Sequence, residues 1–494
     1  MPGFKNIPAS EAIRAWDRFS EEAEGIRSFQ LMQRAAYGCF IYLKNHLDRT
    51  IPTAVCCGPG NNGGDGFLIA AYLNRAGFRI LIFESGPGGS HDRQMARQFA
   101  LDNACEMHPL SHLLHGNYRY IIDALFGHGL SRPLEKEYAE ITKWISDSKL
   151  VYSIDMPSGM PSEPQAEVFS DFVKGADVLT FQCEKLCFFL DEYRKYINNV
   201  QVIDIGLSPH FPRNESGPYL LEEESVSTLY RIKQRVSHKG SFGSTLLIGG
   251  SSRYPGSILL AAEASLYTGV GKTFISTTHL PRTIGPSRNP EVIWLKESGM
   301  EVMEFTPDIH SYSAVGVGPG LGQDKRTQDA LFQLFQKETK WILDADALNF
   351  LAIHPEVEPF GKVIITPHPG EFDRLTHPHQ STGERWKTAA ELAIVKKWVV
   401  VLKGSFSAVF FPDGTRFINT SGNAGLAKGG SGDVLCGLIS GYVGRGYSVE
   451  EAALIGVYLH GLSANELSKR KSLDSILASD LVHEIGRITK RWES

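Results

Sequence analysis

Residues 422–437 read Gly422-Asn423-Ala424-Gly425-Leu426-Ala427-Lys428-Gly429-Gly430-Ser431-Gly432-Asp433-Val434-Leu435-Cys436-Gly437. Just before them, Arg416-Phe417-Ile418-Asn419-Thr420 predicts a strand. Just after, Val434, Leu435, Leu438, Ile439, Tyr442 and Val443 share one face of a predicted helix. Gly429-Gly430-Ser431-Gly432 is therefore a side-chain-poor turn entering a helix, where free backbone N–H groups and the helix dipole favour negative charge. Asp433 sits at the same point. A carboxylate there repels a phosphate and is a poor ligand for one. It suits a base that takes a proton from a hydroxyl while the turn holds the phosphoryl group in transfer. The alternative is a plain glycine-rich turn with Asp433 as helix cap.

Other strand-end motifs weigh against that alternative. From about residue 222, strands are predicted at 245–248, 272–277, 314–317, 341–343, 363–365 and 399–402. His238-Lys239-Gly240-Ser241-Phe242-Gly243 precedes the first, and Gly318-Pro319-Gly320-Leu321-Gly322, Thr366-Pro367-His368-Pro369-Gly370-Glu371-Phe372 and Lys403-Gly404-Ser405-Phe406-Ser407 follow later ones. A common cleft is expected. Lys403 reads as a point charge for a nucleotide phosphate, or as a solvated lysine after a buried strand. His368 reads as a site residue or a turn histidine, and Asp344-Ala345-Asp346 as metal ligands or a helix cap.

The first half repeats the alternation, with strands predicted at 53–57, 79–83, 120–123, 151–155, 178–181 and 200–205. Continuous apolar strands alternating with helices predict a parallel sheet covered on both faces. The Pro-rich, polar stretch 207–218 reads as a linker between domains spanning 1–215 and 222–494. Gly58-Pro59-Gly60-Asn61-Asn62-Gly63-Gly64-Asp65-Gly66 contains GxGxxG between a strand and a helix, and Glu84 ends the next strand where a dinucleotide fold places its ribose acid. A hydride-transfer dehydrogenase thus stays open, although Asn61, Asn62 and Asp65 are unusual in such a loop. Asp123, in Tyr120-Ile121-Ile122-Asp123-Ala124-Leu125-Phe126-Gly127-His128-Gly129-Leu130, and Asp155, in Ser153-Ile154-Asp155-Met156-Pro157-Ser158-Gly159, close two further strands at the sheet edge where ligands bind. An Asn amide, a carboxylate, a Ser hydroxyl and loop carbonyls form an all-oxygen set suited to a hard cation. A capping role for each Asp is the alternative.

The composition narrows the classes. A chain of 494 residues supports two or three domains, and its mild net charge of −5, with no basic block, argues against nucleic acid as the main ligand. Seven scattered cysteines without metal spacing read as reduced thiols. The first thirty residues show no secretory apolar region, and no apolar run reaches membrane-spanning length, so a cytoplasmic location with no membrane partner is expected.

The motifs GPGNNGGDG, DALFGHGL and SIDMPSG, in this order and spacing, resemble the NAD(P)H-hydrate epimerase family. The stretch 15–36 and the strand before Lys185 match it as well. The resemblance implies potassium held by Asn62, Asp123 and Ser158. It implies a dinucleotide bound by Asn61, Asn62, Gly63, Gly64 and Asp65 and by Gly127, His128, Gly129, Leu130, Ser131, Arg132 and Pro133, with Asp155 catalytic at the nicotinamide ring. His128 stands where the family usually has Thr.

In the second half HKGSFG, GPGLG, DADAL, TPHPGEF, VLKG and GGSGDVL resemble, in family order, the ribokinase-like ADP/ATP-dependent NAD(P)H-hydrate dehydratases. That resemblance implies nucleotide contacts at Lys403, Gly404, Ser405, Phe406, Ser407 and Gly432, and hydrate contacts at Gly256, Ala261, Gly320, His368 and Asp433. Lys428, Ser405-Phe406-Ser407-Ala408 and Leu266-Tyr267-Thr268-Gly269-Val270-Gly271 depart from the family pattern. Together the two resemblances cover nearly the whole chain. They imply an α/β protein with an N-terminal Rossmann-like parallel-sheet domain plus a C-terminal ribokinase-like α/β domain.

The implied activity is repair of NADHX and NADPHX, the reduced nicotinamide cofactors hydrated at C6. One half would epimerise the R and S forms, and the other would dehydrate the S form with ADP (or ATP) and Mg2+. Asp433 would deprotonate the ring hydroxyl, which attacks the terminal phosphoryl group; phosphate then leaves and the ring double bond returns. ADP is the expected co-substrate, and a homo-oligomer is expected. A vitamin or sugar kinase, an NAD-dependent dehydrogenase, and a nucleotide-binding scaffold with one inactive site are the alternatives.

Overall fold

Valine- and isoleucine-rich runs between glycine turns build two separate sheets. A computed structural model describes residues 3–130, 132–165, 167–212 and 217–493, which divide into two compact units, 7–217 and 1–6 with 218–494.

In the 7–217 unit, seven strands lie in the spatial order Glu106–Pro109, Ile80–Glu84, Thr53–Cys57, Tyr120–Ala124, Leu150–Ile154, Ala176–Phe181, Ile197–Ile203. Every neighbouring pair is parallel. All five residues of Thr53–Cys57 and all five of Tyr120–Ala124 are buried. Their side chains alternate between two cores, as a pleated strand requires: Ala54, Cys56 and Ile121 enter one, Val55, Cys57 and Ile122 the other. The chain steps outward from Thr53–Cys57 to Glu106–Pro109, then returns to add Tyr120–Ala124 on the opposite side. The order reverses between these two central strands, and a crevice forms at their carboxyl ends.

The stretch read as a linker does more than connect. Up to residue 212 it folds back on the Ser10–Glu24 helix. Trp16 Nε1 donates to Ser208 O at 2.8 Å, Ser208 N donates to Ser20 Oγ at 2.9 Å, and Phe211 stacks on Trp16 at 5.9 Å. Its residues 213–216 lie outside the described residues.

The second unit carries an eleven-stranded sheet in the order Lys5–Asn6, Tyr219–Leu221, Arg416–Asn419, Ala408–Phe410, Val399–Leu402, Gly361–Ile365, Thr339–Leu343, Ala314–Val317, Ser244–Ile248, Lys272–Ser276, Ile293–Trp294. From Val399–Leu402 to Ile293–Trp294 all pairs are parallel, and an antiparallel hairpin of Ala408–Phe410 and Arg416–Asn419 extends the sheet to Tyr219–Leu221, which pairs parallel with Arg416–Asn419. Lys5–Asn6 pairs antiparallel with Tyr219–Leu221, so the chain's first described residues belong to this unit rather than to the N-terminal one.

Val399 and Val401 point to the core under the helices Ser431–Gly444, Val449–Ser468 and Ala478–Trp492. Val400 and Leu402 point to the core on the other face, which holds Lys325–Leu334, Asp346–Ile353 and Thr382–Lys396. The Ser431–Gly444 helix is buried all round from Val434 onward, not on one face alone, because the sheet and neighbouring helices enclose it. Gly437 makes that packing possible: a Cβ there would stand 2.0 Å from the carbonyl oxygen of Ala261.

Candidate active sites

The crevice of the N-terminal unit opens into a cavity of about 480 Å³. Gly60 lines it from the turn after Thr53–Cys57, and Asn61, Asn62 and Asp65 line it from the start of the helix that follows. Gly127, His128, Gly129 and Leu130 line it from the loop after Tyr120–Ala124, and Asp155 from the end of Leu150–Ile154. The helix Asn61–Arg75 starts at Gly60, which offers no side-chain cap and leaves first-turn N–H groups for a ligand. Gly63 and Gly64 do not line the cavity. A Cβ on Gly63 would stand 2.1 Å from Gly58 O, and one on Gly64 would strike Met32, so both permit close packing of the loop. Arg132 and Pro133 are exposed outside the cavity, and Ser131 lies outside the described residues.

Asp155 is the electrostatic centre. It is a non-glycine residue at φ +62°, a conformation costing about 1–3 kcal/mol that survives only when its surroundings hold it. Here they do. Its Oδ1 lies 3.0 Å from the buried Lys185 Nζ, and its Oδ2 accepts from the backbone N–H of His128 at 3.1 Å and lies 2.8 Å from His128 Nδ1. Burial by itself would raise the Asp155 carboxyl, but Lys185 and His128 hold it well below the ordinary carboxylate range. The histidine that departs from the family pattern thus has a defined partner. Lys185 is fixed in turn by Thr180 Oγ1, Phe181 O and Cys183 O at 2.9–3.1 Å.

Beneath these loops Asp123 is fully buried. It accepts from Ser153 Oγ at 2.8 Å, Ser158 N at 2.9 Å, Ser158 Oγ at 2.5 Å and Leu125 N at 3.3 Å. Burial raises its carboxyl despite these bonds. Asn62 is buried too, and neither of its amide atoms has a hydrogen-bond partner. A buried amide left so is costly unless a ligand meets it. Glu84, expected at the ribose position, is taken up by a bidentate pair with Arg97 at 2.6–2.7 Å and does not line the cavity, which removes the feature that favoured a dehydrogenase.

In the second unit Asp433 stands in the first turn of Ser431–Gly444, whose N-cap Gly430 has no side chain to satisfy the turn's N–H groups. A Cβ on Gly432 would lie 3.4 Å from Lys403 Nζ and 3.6 Å from Asp344 Oδ2, so the helix start faces that ion pair. Lys403 Nζ is 2.9 Å from Asp344 Oδ1 and 3.8 Å from Glu371 Oε2. Burial would lower the Lys403 ammonium, yet Asp344 and Glu371 hold it above its ordinary value. Burial, then the charge of Asp344, pushes Asp433 up to about 6, opposed by a bond from Ser257 and by Lys403. Gly320 belongs to the same cluster: a Cβ on it would lie 3.0 Å from Ser257 Cβ, and its carbonyl accepts from Ser251 Oγ at 2.9 Å.

Other expected positions have structural surroundings of their own. Ala261 is buried where two helices touch, and Gly256 is exposed to open space at its helix start. His368 caps the Pro369–Leu375 helix, its Nδ1 accepting from Gly370 N at 3.0 Å and Glu371 N at 3.3 Å, with half its side chain exposed. Lys428 donates to the carbonyls of Asp474 and Ile476, which occupies that unusual residue away from the turn's anion-binding groups. Gly404 and Ser405 are exposed beside Lys403, with Phe406 and Ser407 half-buried. Ser257 and the Lys185–Asp155 pair were not foreseen as site chemistry. A single Ser or Lys outside a glycine motif carries no sequence signal of its own.

Comparison with known proteins fits this geometry. The family described as NAD(P)H-hydrate dehydratase matches residues 245–487, and the family described as YjeF-related protein N-terminus matches residues 28–187. The bifunctional NAD(P)H-hydrate repair enzyme Nnr of Coxiella burnetii is 32% identical over 95% of this chain and 96% of its own. Its counterpart from Escherichia coli is 30% identical over 97% of this chain and 93% of its own. Among solved structures, an ADP/ATP-dependent NAD(P)H-hydrate dehydratase from Bacillus subtilis, co-crystallised with ATP/Mg2+, is 32% identical with a TM-score of 0.48, covering 56% of this chain and 98% of its own.

Proposed function

The chain belongs to the bifunctional NAD(P)H-hydrate repair enzymes, and from that premise we propose which of its residues carry each half of the repair. The epimerase unit interconverts R and S NAD(P)HX, and the dehydratase unit uses a nucleotide to return S-NAD(P)HX to NAD(P)H.

In the dehydratase, Asp433 takes the proton of the C6 hydroxyl as its oxygen attacks the terminal phosphoryl group of ADP. AMP leaves, phosphate is then expelled with loss of a C5 proton, and the ring double bond returns. First-turn N–H groups of the Ser431–Gly444 helix and Lys403 receive the charge of the transferring group. Mg2+, when bound, neutralises phosphate charge. Nucleotide phosphate oxygens would be among its ligands, and the Asp344 oxygen turned from Lys403 would hold it from the protein. The observation carrying this reading is an acid raised to about 6 at an uncapped helix start facing a lysine.

In the epimerase, inversion at C6 requires that carbon to become planar, and loss of its hydroxyl achieves this while placing positive charge on the adjacent ring nitrogen. Asp155, held ionised, faces that charge. Potassium fits the oxygen set of Asn62, Asp123 and Ser158, because the Asn62 amide is buried without a partner and one carboxylate supplies a single charge. It would fix the loops that bind the dinucleotide.

Seven free, buried cysteines support a cytoplasmic location. No helix among the described residues is long and apolar enough to cross a membrane. The test is recovery of the reduced-nicotinamide absorbance from a mixed R/S hydrate with ADP, ATP or neither. Full recovery with nucleotide is expected. Recovery of only the S half would refute the epimerase assignment, and none with either nucleotide would refute the dehydratase assignment.

A further inference from the structure

We propose that Asp17 is the proton donor of the epimerisation: it protonates the C6 hydroxyl as that group leaves and is reprotonated from solvent once water has returned to the opposite face. This rests on the epimerase reading of the N-terminal unit.

Asp17 lies outside every glycine motif, on the helix Ser10–Glu24, yet it lines the same cavity as His128 and Asp155. The helix is fastened to the site on both sides of it. Toward its start, Ser10 Oγ is 2.7 Å from Ser162 Oγ, and Ser162 Oγ donates to the backbone carbonyl of His128 at 3.0 Å. Next to Asp17, the buried Trp16 is bonded to Ser208, and Ser20 one turn on accepts from Ser208 N. Among the described residues the Asp17 carboxylate makes no hydrogen bond or ion pair. Its neighbours Asp155 and Lys185 are by contrast locked together.

The charges facing Asp17 are His128 and Lys185, which favour its ionised form, and Asp155, Asp65 and Glu21, which oppose it. Burial is the largest influence, and the group ends near 6. Of the carboxylates lining the cavity, Asp155 stays charged and Asp17 gains and loses a proton near neutrality, the separation of roles that acid–base work at two carboxylates requires. The step balances. The C6–O bond breaks as the Asp17 proton moves to oxygen, and water leaves. The ring-nitrogen lone pair forms a C=N bond whose positive charge faces Asp155. Water then adds from the other face and loses its proton to solvent, from which Asp17 is reprotonated. No oxidant or second substrate is needed.

The full chain carrying Asp17→Asn is assayed by chromatographic separation of the two epimers in potassium buffer without nucleotide. A fall in kcat of about a hundredfold or more is expected, with KM little changed. Wild-type kcat is expected to decline as pH rises through about 6, where the donor is lost, and Asp17→Glu to keep that decline at a reduced rate while Asp17→Asn lacks it. In H2(18)O, every wild-type inversion is expected to bring solvent oxygen into the hydroxyl. Asp17→Asn retaining most of the rate and the same pH dependence, or inversion without oxygen uptake, overturns the proposal and leaves the epimerase reading standing. A wild-type chain that does not interconvert the epimers removes both.

Discussion

At Asp433 the proposed base role of a whole unit rests on one side chain. Its carboxylate lies beside the Lys403–Asp344 pair, and burial with the Asp344 charge raises it to about 6. A base must be ionised to act, so dehydration of the S hydrate is expected to be full above that value and to fall as pH drops through it. Asp433→Asn keeps the shape without the proton acceptor, and dehydration should fall by about 10²-fold or more, with nucleotide binding by calorimetry largely intact. Retention of more than a tenth of the rate, or an unchanged acid limb in the variant, would take the base role from Asp433. The sequence showed Asp433 because a carboxylate after Gly-Gly-Ser-Gly is chemically odd. It could not show Ser257 or Asp17, because a serine in one helix and an aspartate in another look like ordinary helical polar positions until the fold brings them to a cleft.

At the scale of elements, close approach and buried bonds set the sites' geometry. Gly437→Ala would put a methyl group 2.0 Å from the Ala261 carbonyl, so the Ser431–Gly444 and Pro255–Tyr267 helices must move apart. Overpacking of this kind costs about 1–3 kcal/mol. A lower urea midpoint is expected together with slower dehydration, since the same helix carries Asp433. An unchanged midpoint would mean that the helices have room the structure does not show. In the other unit, Asp123→Ala would strip four donors of their acceptor, at about 1–3 kcal/mol for each left unsatisfied. Lost epimerisation and a lower melting temperature are expected. Replacing potassium by a bulky organic cation should slow wild-type epimerisation, whereas indifference to the cation would reduce Asp123 to a structural hub. Strands such as Thr53–Cys57 and Val399–Leu402 were legible because a buried parallel strand is a continuous apolar run. Glu106–Pro109 was not, since an edge strand carrying Glu106 and His108 has no such run. Nor was Lys5–Asn6, whose pairing with Tyr219–Leu221 joins residues more than two hundred positions apart.

Across the whole molecule, the groups proposed for each step fall within one unit: Asp155, His128 and Lys185 in 7–217, Asp433, Lys403 and Asp344 in the other. With the proposed groups of each site drawn from a single unit, the two steps should be separable by single substitutions and should communicate through free hydrate. Asp155→Asn is expected to recover only the S half of a mixed hydrate with ADP, stopping midway. Asp433→Asn should recover nothing while still equalising the epimers. Mixing the two variant proteins at equal concentration should then restore full recovery, because the S hydrate formed by one chain can reach the intact dehydratase of another. The absorbance trace is expected to be biphasic, a fast phase from S already present and a slower one limited by epimerisation, whose rate rises with added Asp433→Asn protein. If the mixture stalls at half recovery although each variant retains its remaining activity alone, the two units must work on hydrate that never leaves the chain, and the independence inferred from their separate construction is wrong.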